Sequence, residues 1–291
     1  MLFYSNKSFI GNRKLESGLL PKKRVKHIKK KDVNMTEENR AIPFQIKLAD
    51  VNVRIEPMFD YIREYCKDYI TEEGAEFLVR TEAADLLFER ERSRKEAQLE
   101  GREDINYTDA YLETLAVYRR IAEHFPHLGI LLFHGSVIAV DGVGYLFTAK
   151  SGTGKSTHTR LWRQQFGERA VMVNDDKPLL RITENGVFAY GTPWDGKHRL
   201  SCNISVPLKA ICVLTRDEKN HIEEIEPREV YQMLLQQAYR PTNQVSMIQT
   251  LQNIDLLMKK TKFYRLGCNR NPEAAIVAFQ GMNKENEENL V

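Results

Sequence analysis

Ala149-Lys150-Ser151-Gly152-Thr153-Gly154-Lys155-Ser156 decides how the rest of the chain is read. An apolar run, Gly144-Tyr145-Leu146-Phe147-Thr148, leads into it, and a helix-compatible segment from His158 to Phe166 follows. Strand, Gly-rich loop ending in Gly-Lys-Ser, then helix is the layout of a cradle for nucleotide phosphates. Small residues let successive backbone N–H groups turn inward toward phosphate oxygens, and the helix adds the positive end of its dipole. In such a loop Lys155 reaches the outer phosphates and the Ser156 hydroxyl is placed to ligate Mg²⁺. Ser151, Gly152, Thr153, Gly154, Lys155, Ser156 and Thr157 are therefore the expected nucleotide contacts. Ala149 stands where the strict pattern has Gly, and it is small enough to leave room for the turn.

Composition bounds the rest. A chain of 291 residues, 42% of them hydrophobic, can bury a real core in one large or two modest domains. It has no apolar run of membrane-span length and no secretory apolar region at the N-terminus. Cys66, Cys202, Cys212 and Cys268 lack metal-ligand spacing, so a disulfide or zinc role is not expected and a cytoplasmic location fits best. Cys212 reads as a buried strand residue. Residues 1–34 carry ten Lys or Arg against two Asp or Glu, a net +8, so in a chain of net +3 the remainder carries −5. This segment is read as a disordered basic tail rather than an arm for nucleic acid or an acidic membrane surface. Met35 is an alternative start.

Four segments are expected: the tail 1–34, a small α+β portion over 35–129, a nucleotide-binding catalytic unit over 130–282, and a polar tail 283–291. Residues 44–55 alternate as a pair of short strands. Phe59, Ile62, Cys66 and Tyr69 recur at helical spacing. Thr81 to Arg102 reads as a solvated, charged helix. Tyr111, Leu115, Tyr118, Ala122 and Phe125 mark another helix. In the second half, strands are expected at 130–133, 136–140, 144–148, 170–173, 178–183, 187–190 and 208–214, with a turn at Asp141-Gly142. Helices follow over 230–239 and 245–258, the latter with Met247, Leu251, Ile254 and Met258 as its core stripe. Asn271-Pro272 starts a last helix through Phe279.

Chemistry needs a metal-holding carboxylate, and Asp175-Asp176 ends the strand that follows the loop helix. There an acidic pair reaches both Mg²⁺ and the proton of an attacking group. His134 precedes Lys155 across a strand–turn–strand that can return it beside the loop. Together His134-Gly135, the Ser151 to Ser156 loop and Asp175-Asp176 resemble the catalytic core shared by HPr kinase/phosphorylases and ATP-dependent phosphoenolpyruvate carboxykinases. The resemblance spans about residues 130–215. It implies an α/β fold with a mixed, largely antiparallel sheet around the loop. It implies that Asp176 is the general base, as in the kinases, and that His134 and Asp176 hold a divalent metal, as in the carboxykinases. Asp175 then orients the metal's water shell or the base.

The chain also departs from these families. Tyr190 to Arg199 stands where HPr kinases carry a Glu and a Gly-rich docking signature, so HPr itself is not the expected acceptor. No pyruvate or oxaloacetate site is visible, so decarboxylation is not expected. The pattern is most similar to HPr-kinase-related proteins associated with bacterial peptide modification. Lys197 and Arg199 are expected to offset phosphoryl charge where water is excluded, and Trp194 walls the acceptor pocket or packs as a core residue. Lys150 and His158 are expected to be solvated neighbours. The expectation is an ATP-dependent kinase using Mg²⁺, or Mn²⁺ in its place, to phosphorylate a Ser or Thr of a small protein or peptide. A small-molecule hydroxyl kinase and an ATP-binding regulatory module remain alternatives, and a homo-oligomer stays open.

Overall fold

β1 (Phe44–Leu48) and β2 (Val51–Glu56) form an antiparallel hairpin whose inward residues alternate with half-exposed ones. The two-residue link, Ala49-Asp50, adopts positive φ at both positions (49° and 60°), matching the twist of the strands it joins. The computed structural model describes residues 39–284 apart from 100, 102, 151 and 197. The expected tail 1–34, and the polar tail from 285 on, lie outside the described residues. β3 (Phe77–Arg80) adds to β2 in parallel, completing a three-stranded sheet. A short helix, α1 (Tyr61–Tyr65), buries Ile62 beneath it.

α2 (Ala83–Leu99) and α3 (Asp109–His124) cover this first portion. α3 starts where the Thr108 side chain accepts from the Tyr111 amide. The charged α2 is not simply solvated, as its sequence suggests. Asp85 and Glu89 are buried and grip Arg119 and Arg120 on α3, with Arg119 Nε 2.6 Å from Glu89 Oε1 and Arg120 Nη2 2.8 Å from Asp85 Oδ2. The charge pattern hides an inter-helix clamp.

The second half is built on a nine-stranded sheet. Its strands are β4 (Ile130–Leu132), β5 (Ser136–Val140), β6 (Val143–Thr148), β7 (Ala170–Asn174), β8 (Leu179–Thr183), β9 (Gly186–Tyr190), β10 (Ser205–Arg216), β11 (His221–Glu224) and β12 (Lys262–Cys268). The order is β4-β8-β9-β10-β6-β5-β7, with β12 also on β10 and β11 on β12. Only the pairings of β10 with β6 and β12 are parallel. β10 pairs first with β9 through Ser205–Pro207, then from Leu208 onward with β6 and β12, across a bulge between Leu208 and Ala210. The sheet therefore curls, and the fold is mixed α/β with a mixed, mostly antiparallel sheet.

Helices cover both faces. α4 (Lys155–Phe166) and α7 (Glu273–Asn283) bury Trp162, Ala275 and Ala278 against Ile138, Tyr145 and Phe147. α5 (Pro227–Gln237) and α6 (Gln244–Lys260) bury Leu234, Ile254 and Leu257 against Val137, Ala139 and Leu146. On α6 the expected stripe is rotated. Ser246, Thr250, Asn253, Ile254 and Leu257 are buried, whereas Met247, Leu251 and Met258 lie at its margin. α7 runs past Phe279 to Asn283, which is hydrogen-bonded to Tyr145 Oη at 3.0 Å. All four cysteines are unbonded, and Cys66 and Cys212 are buried. No helix among the described residues is long and apolar enough to cross a membrane.

Candidate functional site

The loop between β6 and α4 is shaped by two glycines at positive φ, Gly152 (80°) and Gly154 (132°), a region that side-chain-bearing residues rarely adopt. Gly154 is the N-cap of α4, and no side chain caps the helix start. The first amides of α4 thus lack intrahelical acceptors, the condition that makes a helix N-terminus an anion site. Lys155 is the first helical residue and Ser156 the exposed second. Thr157 is half-buried. From behind, Arg216 at the end of β10 donates to Gly152 O (2.6 Å) and Thr153 O (3.3 Å), while Thr153 Oγ1 donates to Lys150 O (2.8 Å). Ser151 lies outside the described residues.

The acidic pair sits in a turn organised by Asn174, the fully buried last residue of β7. Its Oδ1 accepts from the Asp176 amide (2.9 Å) and the Lys177 amide (2.6 Å). Its Nδ2 donates to Thr192 Oγ1 (3.0 Å) and Trp194 O (3.4 Å). The backbone is pinned further by Gly135 N to Asp176 O (3.1 Å) and by Tyr118 Oη to Lys177 O (2.8 Å). A Cβ at Gly135 would stand 3.1 Å from Phe147 O and 3.0 Å from Leu146 Cδ2, so a side chain there would have to push these neighbours back by a few tenths of an ångström.

The two carboxylates then diverge. Asp175 accepts from Ser136 Oγ at 2.7 Å and from the Ser156 hydroxyl. Burial raises its pKa, opposed by those two hydrogen bonds. Asp176 faces His134 instead, with Oδ1 3.5 Å from Nε2, and its Oδ2 lies 3.3 Å from the Lys177 ammonium. Oδ2 is buried and accepts no hydrogen bond among the described residues. Burial pushes the His134 pKa down to about 4, helped by the positive charge of Lys155 and opposed by Asp176. At neutral pH the imidazole is neutral, which is the form that ligates a metal.

The structure therefore brings together His134, Lys155, Ser156, Asp175 and Asp176 around the start of α4. Asp175 belongs to the Ser156 side and Asp176 to the His134 side. The segment after β9 closes over them from the other direction. Cβ positions built on Gly191 and Gly196 would lie 1.8 Å from Cys202 O and 2.8 Å from Asp175 O, so both glycines are close-approach positions. Arg199 is exposed, stacks its guanidinium 4.8 Å over the Tyr65 ring, and acts electrostatically on Asp195; among the described residues no contact takes it to the loop. Lys197 lies outside the described residues. Trp194 does not wall a pocket: it is buried, stacked on Tyr118 at 4.0 Å, with Nε1 donating to Thr114 O.

His158 is likewise corrected. It is buried rather than solvated, accepts from Trp162 Nε1 at 3.0 Å, and burial pushes its pKa down to about 3. Sequence reasoning missed Ser136, Asn174, Lys177, Gln237 and Arg216. Each is a common residue type whose role depends on a partner far along the chain, so no local pattern marks it. Among the described residues no three His, Cys, Asp or Glu side chains converge as a metal cage. The donor set suits a cation shared with a phosphate instead: one hydroxyl, two carboxylates and a neutral imidazole.

Comparison with known proteins adds the following. A protein-family model described as SynChlorMet cassette protein ScmC matches residues 102–269, more than half of the chain. No curated protein matches. Among solved structures, the HPr(Ser) kinase/phosphatase from Coxiella burnetii matches with 15% identity over 44% of this chain and 92% of that one, at a TM-score of 0.25. At that score no residue role transfers.

Proposed function

We propose that this chain, which belongs to the SynChlorMet cassette protein ScmC family, is an ATP-dependent kinase that phosphorylates a Ser or Thr hydroxyl of a small protein or peptide. In this reading its fold is of the HPr-kinase and carboxykinase type and its reaction is phosphoryl transfer. The observation that carries it is the placement of Asp176 opposite His134, whose ring also feels the positive charge of Lys155, with one carboxylate oxygen toward the imidazole and the other 3.3 Å from the Lys177 ammonium. A buried charge is kept where it is paired, and this carboxylate, paired with Lys177 on one oxygen, turns the other toward the imidazole, where a proton or a shared cation can meet it. A phosphate-binding loop alone would need no second carboxylate beyond the Ser156–Asp175 pair.

The open amides at the start of α4 and the Lys155 ammonium bind the β- and γ-phosphates. Ser156, with Asp175 behind it, and His134 with Asp176 are the residues that would hold Mg²⁺ or Mn²⁺, which when bound neutralises charge on the transferring group. Asp176 takes the acceptor's hydroxyl proton as its oxygen bonds to the γ-phosphorus. The bond from that phosphorus to the β–γ bridging oxygen breaks, and ADP leaves. Gly152, Ser156 and His198 are exposed at the rim, so a macromolecular acceptor can reach the loop. A cassette protein, as the family is described, suits an acceptor supplied within the same cassette.

Asp176→Asn tests the reading. It keeps the shape but removes the base, so phosphate transfer to peptide acceptors should fall about 10²–10⁴-fold, while calorimetry still detects ATP binding. Lys155→Ala should instead weaken ATP binding itself. Wild-type protein that binds ATP but neither transfers phosphate nor turns ATP over would replace the kinase with a regulatory module.

A further inference from the structure

Gln237 is the last residue of α5 and, at 2% exposure, part of that helix's buried stripe with Val230 and Leu234. Spacing alone would class it as a core contact. Yet the chain leaving α5 runs alongside the end of β4 and is held to it by two backbone hydrogen bonds. The His134 amide donates to Gln237 O (2.8 Å) and the Tyr239 amide donates to Leu132 O (2.8 Å), which together make the antiparallel bridge between Phe133 and Ala238. The Gln237 backbone is therefore fixed to the backbone of the residue its side chain also meets. That side chain places Oε1 2.7 Å from His134 Nδ1, across 103 positions of sequence.

The direction of the amide follows from its other end. Gln237 Nε2 lies 3.5 Å from Met233 Sδ, and a thioether sulfur accepts but cannot donate. The NH₂ group belongs on the sulfur side, so the carbonyl oxygen faces the imidazole. A carbonyl oxygen accepts only, so Nδ1 must carry the proton. In the neutral ring the lone pair then sits on Nε2, the nitrogen 3.5 Å from Asp176 Oδ1. Two electron-rich atoms set opposite each other in a buried site form a seat for a cation. A carboxamide performs this task without adding charge, whereas a carboxylate partner would favour the imidazolium.

We infer that Gln237 is a positioning residue that locks His134 in its Nδ1–H tautomer and so presents Nε2, facing Asp176, as a nitrogen ligand for a divalent cation. Metal-binding histidines commonly have their other nitrogen held in this way, and the holder contributes about 10–100-fold to metal affinity. The cation half of the inference rests on the metal-dependent kinase proposed above. The tautomer half rests on the hydrogen bonds alone.

The experiment separates the two. ¹⁵N NMR of histidine-labelled, full-length protein at neutral pH, free of nucleotide and metal, distinguishes N–H from lone-pair nitrogens, and His134→Gln identifies the His134 signals. Wild type should show Nδ1 protonated and Nε2 bare. Gln237→Met, which removes the acceptor at similar volume, should mix or reverse the two forms, whereas Gln237→Glu, which keeps an acceptor, should leave Nδ1 protonated. Mn²⁺ titration followed by electron paramagnetic resonance should show affinity reduced about 10–100-fold in Gln237→Met. An Nε2–H ring in wild type, or unchanged signals in folded Gln237→Met, overturns the lock, and the wild-type spectrum decides even if that variant does not fold. A changed tautomer with unchanged Mn²⁺ affinity overturns the ligand role. The ATP-binding part of the functional reading is decided separately by calorimetry.

Discussion

At the scale of the residue, Asn174 shows how much one side chain can organise. It satisfies the amides of Asp176 and Lys177 with one end and reaches Thr192 and Trp194 with the other. Asn174→Ala should lower stability by about 2–4 kcal/mol in urea unfolding, since an unpaired buried polar group costs about 1–3 kcal/mol. Asn174→Asp keeps the acceptor for both amides and should fall between the two. His158 yields a pH prediction. Its folded pKa of about 3 lies below the ordinary value of 6.5, so the unfolded chain binds its proton first. This contribution is fully present above about pH 6.5 and is lost as pH falls toward 3, by an amount on the order of a few kcal/mol at one pKa unit per ~1.4 kcal/mol. The raised pKa of Asp175 acts oppositely and offsets part of the loss. Thermal melts across this range should show a flatter acid limb in His158→Gln than in wild type. His134, Lys155, Ser156 and the Asp pair were legible because they sit in a compact motif. Asn174 and Gln237 were not, because an Asn at a strand end and a Gln in a helix stripe are ordinary until their partners are in place.

At the scale of the element, the strand–loop–helix around Gly152 and Gly154 follows directly from the local sequence, and most of the short strands do as well. β12 escaped because only Thr261 separates it from α6, with no Gly or Pro to mark the change, and its Lys262 start continues the basic end of the helix. β11 escaped because His221–Glu224 is mostly exposed and polar. Both β12 and the loop backing depend on β10, whose last residue, Arg216, holds two loop carbonyls. Arg216→Ala should therefore weaken ATP binding a few-fold in calorimetry with little change in melting temperature, as its hydrogen bonds are solvent-exposed. Gly191→Ala should do the reverse and act on the fold. A Cβ there meets Cys202 O at 1.8 Å, so the 191–202 segment must part, with a loss of about 3 kcal/mol or more in denaturant unfolding.

At the scale of the whole molecule, the first sheet and the second half share one buried cluster. It runs from Ile46, Val53 and Ile55 through Tyr118 and Ile121 to Leu132, Leu179 and Trp194. Trp162 belongs to a different cluster, beneath α4 and α7. Fluorescence unfolding curves of Trp162→Phe and of Trp194→Phe, each with one reporter left, should therefore coincide with each other and with far-ultraviolet circular dichroism. Separate midpoints would show that the first portion unfolds on its own. The parallel pairing of β10 with β12 also has a consequence for how the protein is made. β6 pairs with residues 208–213 of β10, but the other edge of β10, over residues 210–216, receives its partner only from residues 262–268. While the ribosome is adding α5 and α6, the nascent chain carries an unpaired strand edge, the kind of surface on which neighbouring chains pair. The second half therefore matures late in translation, and slow elongation through α6 should raise the share of aggregated product.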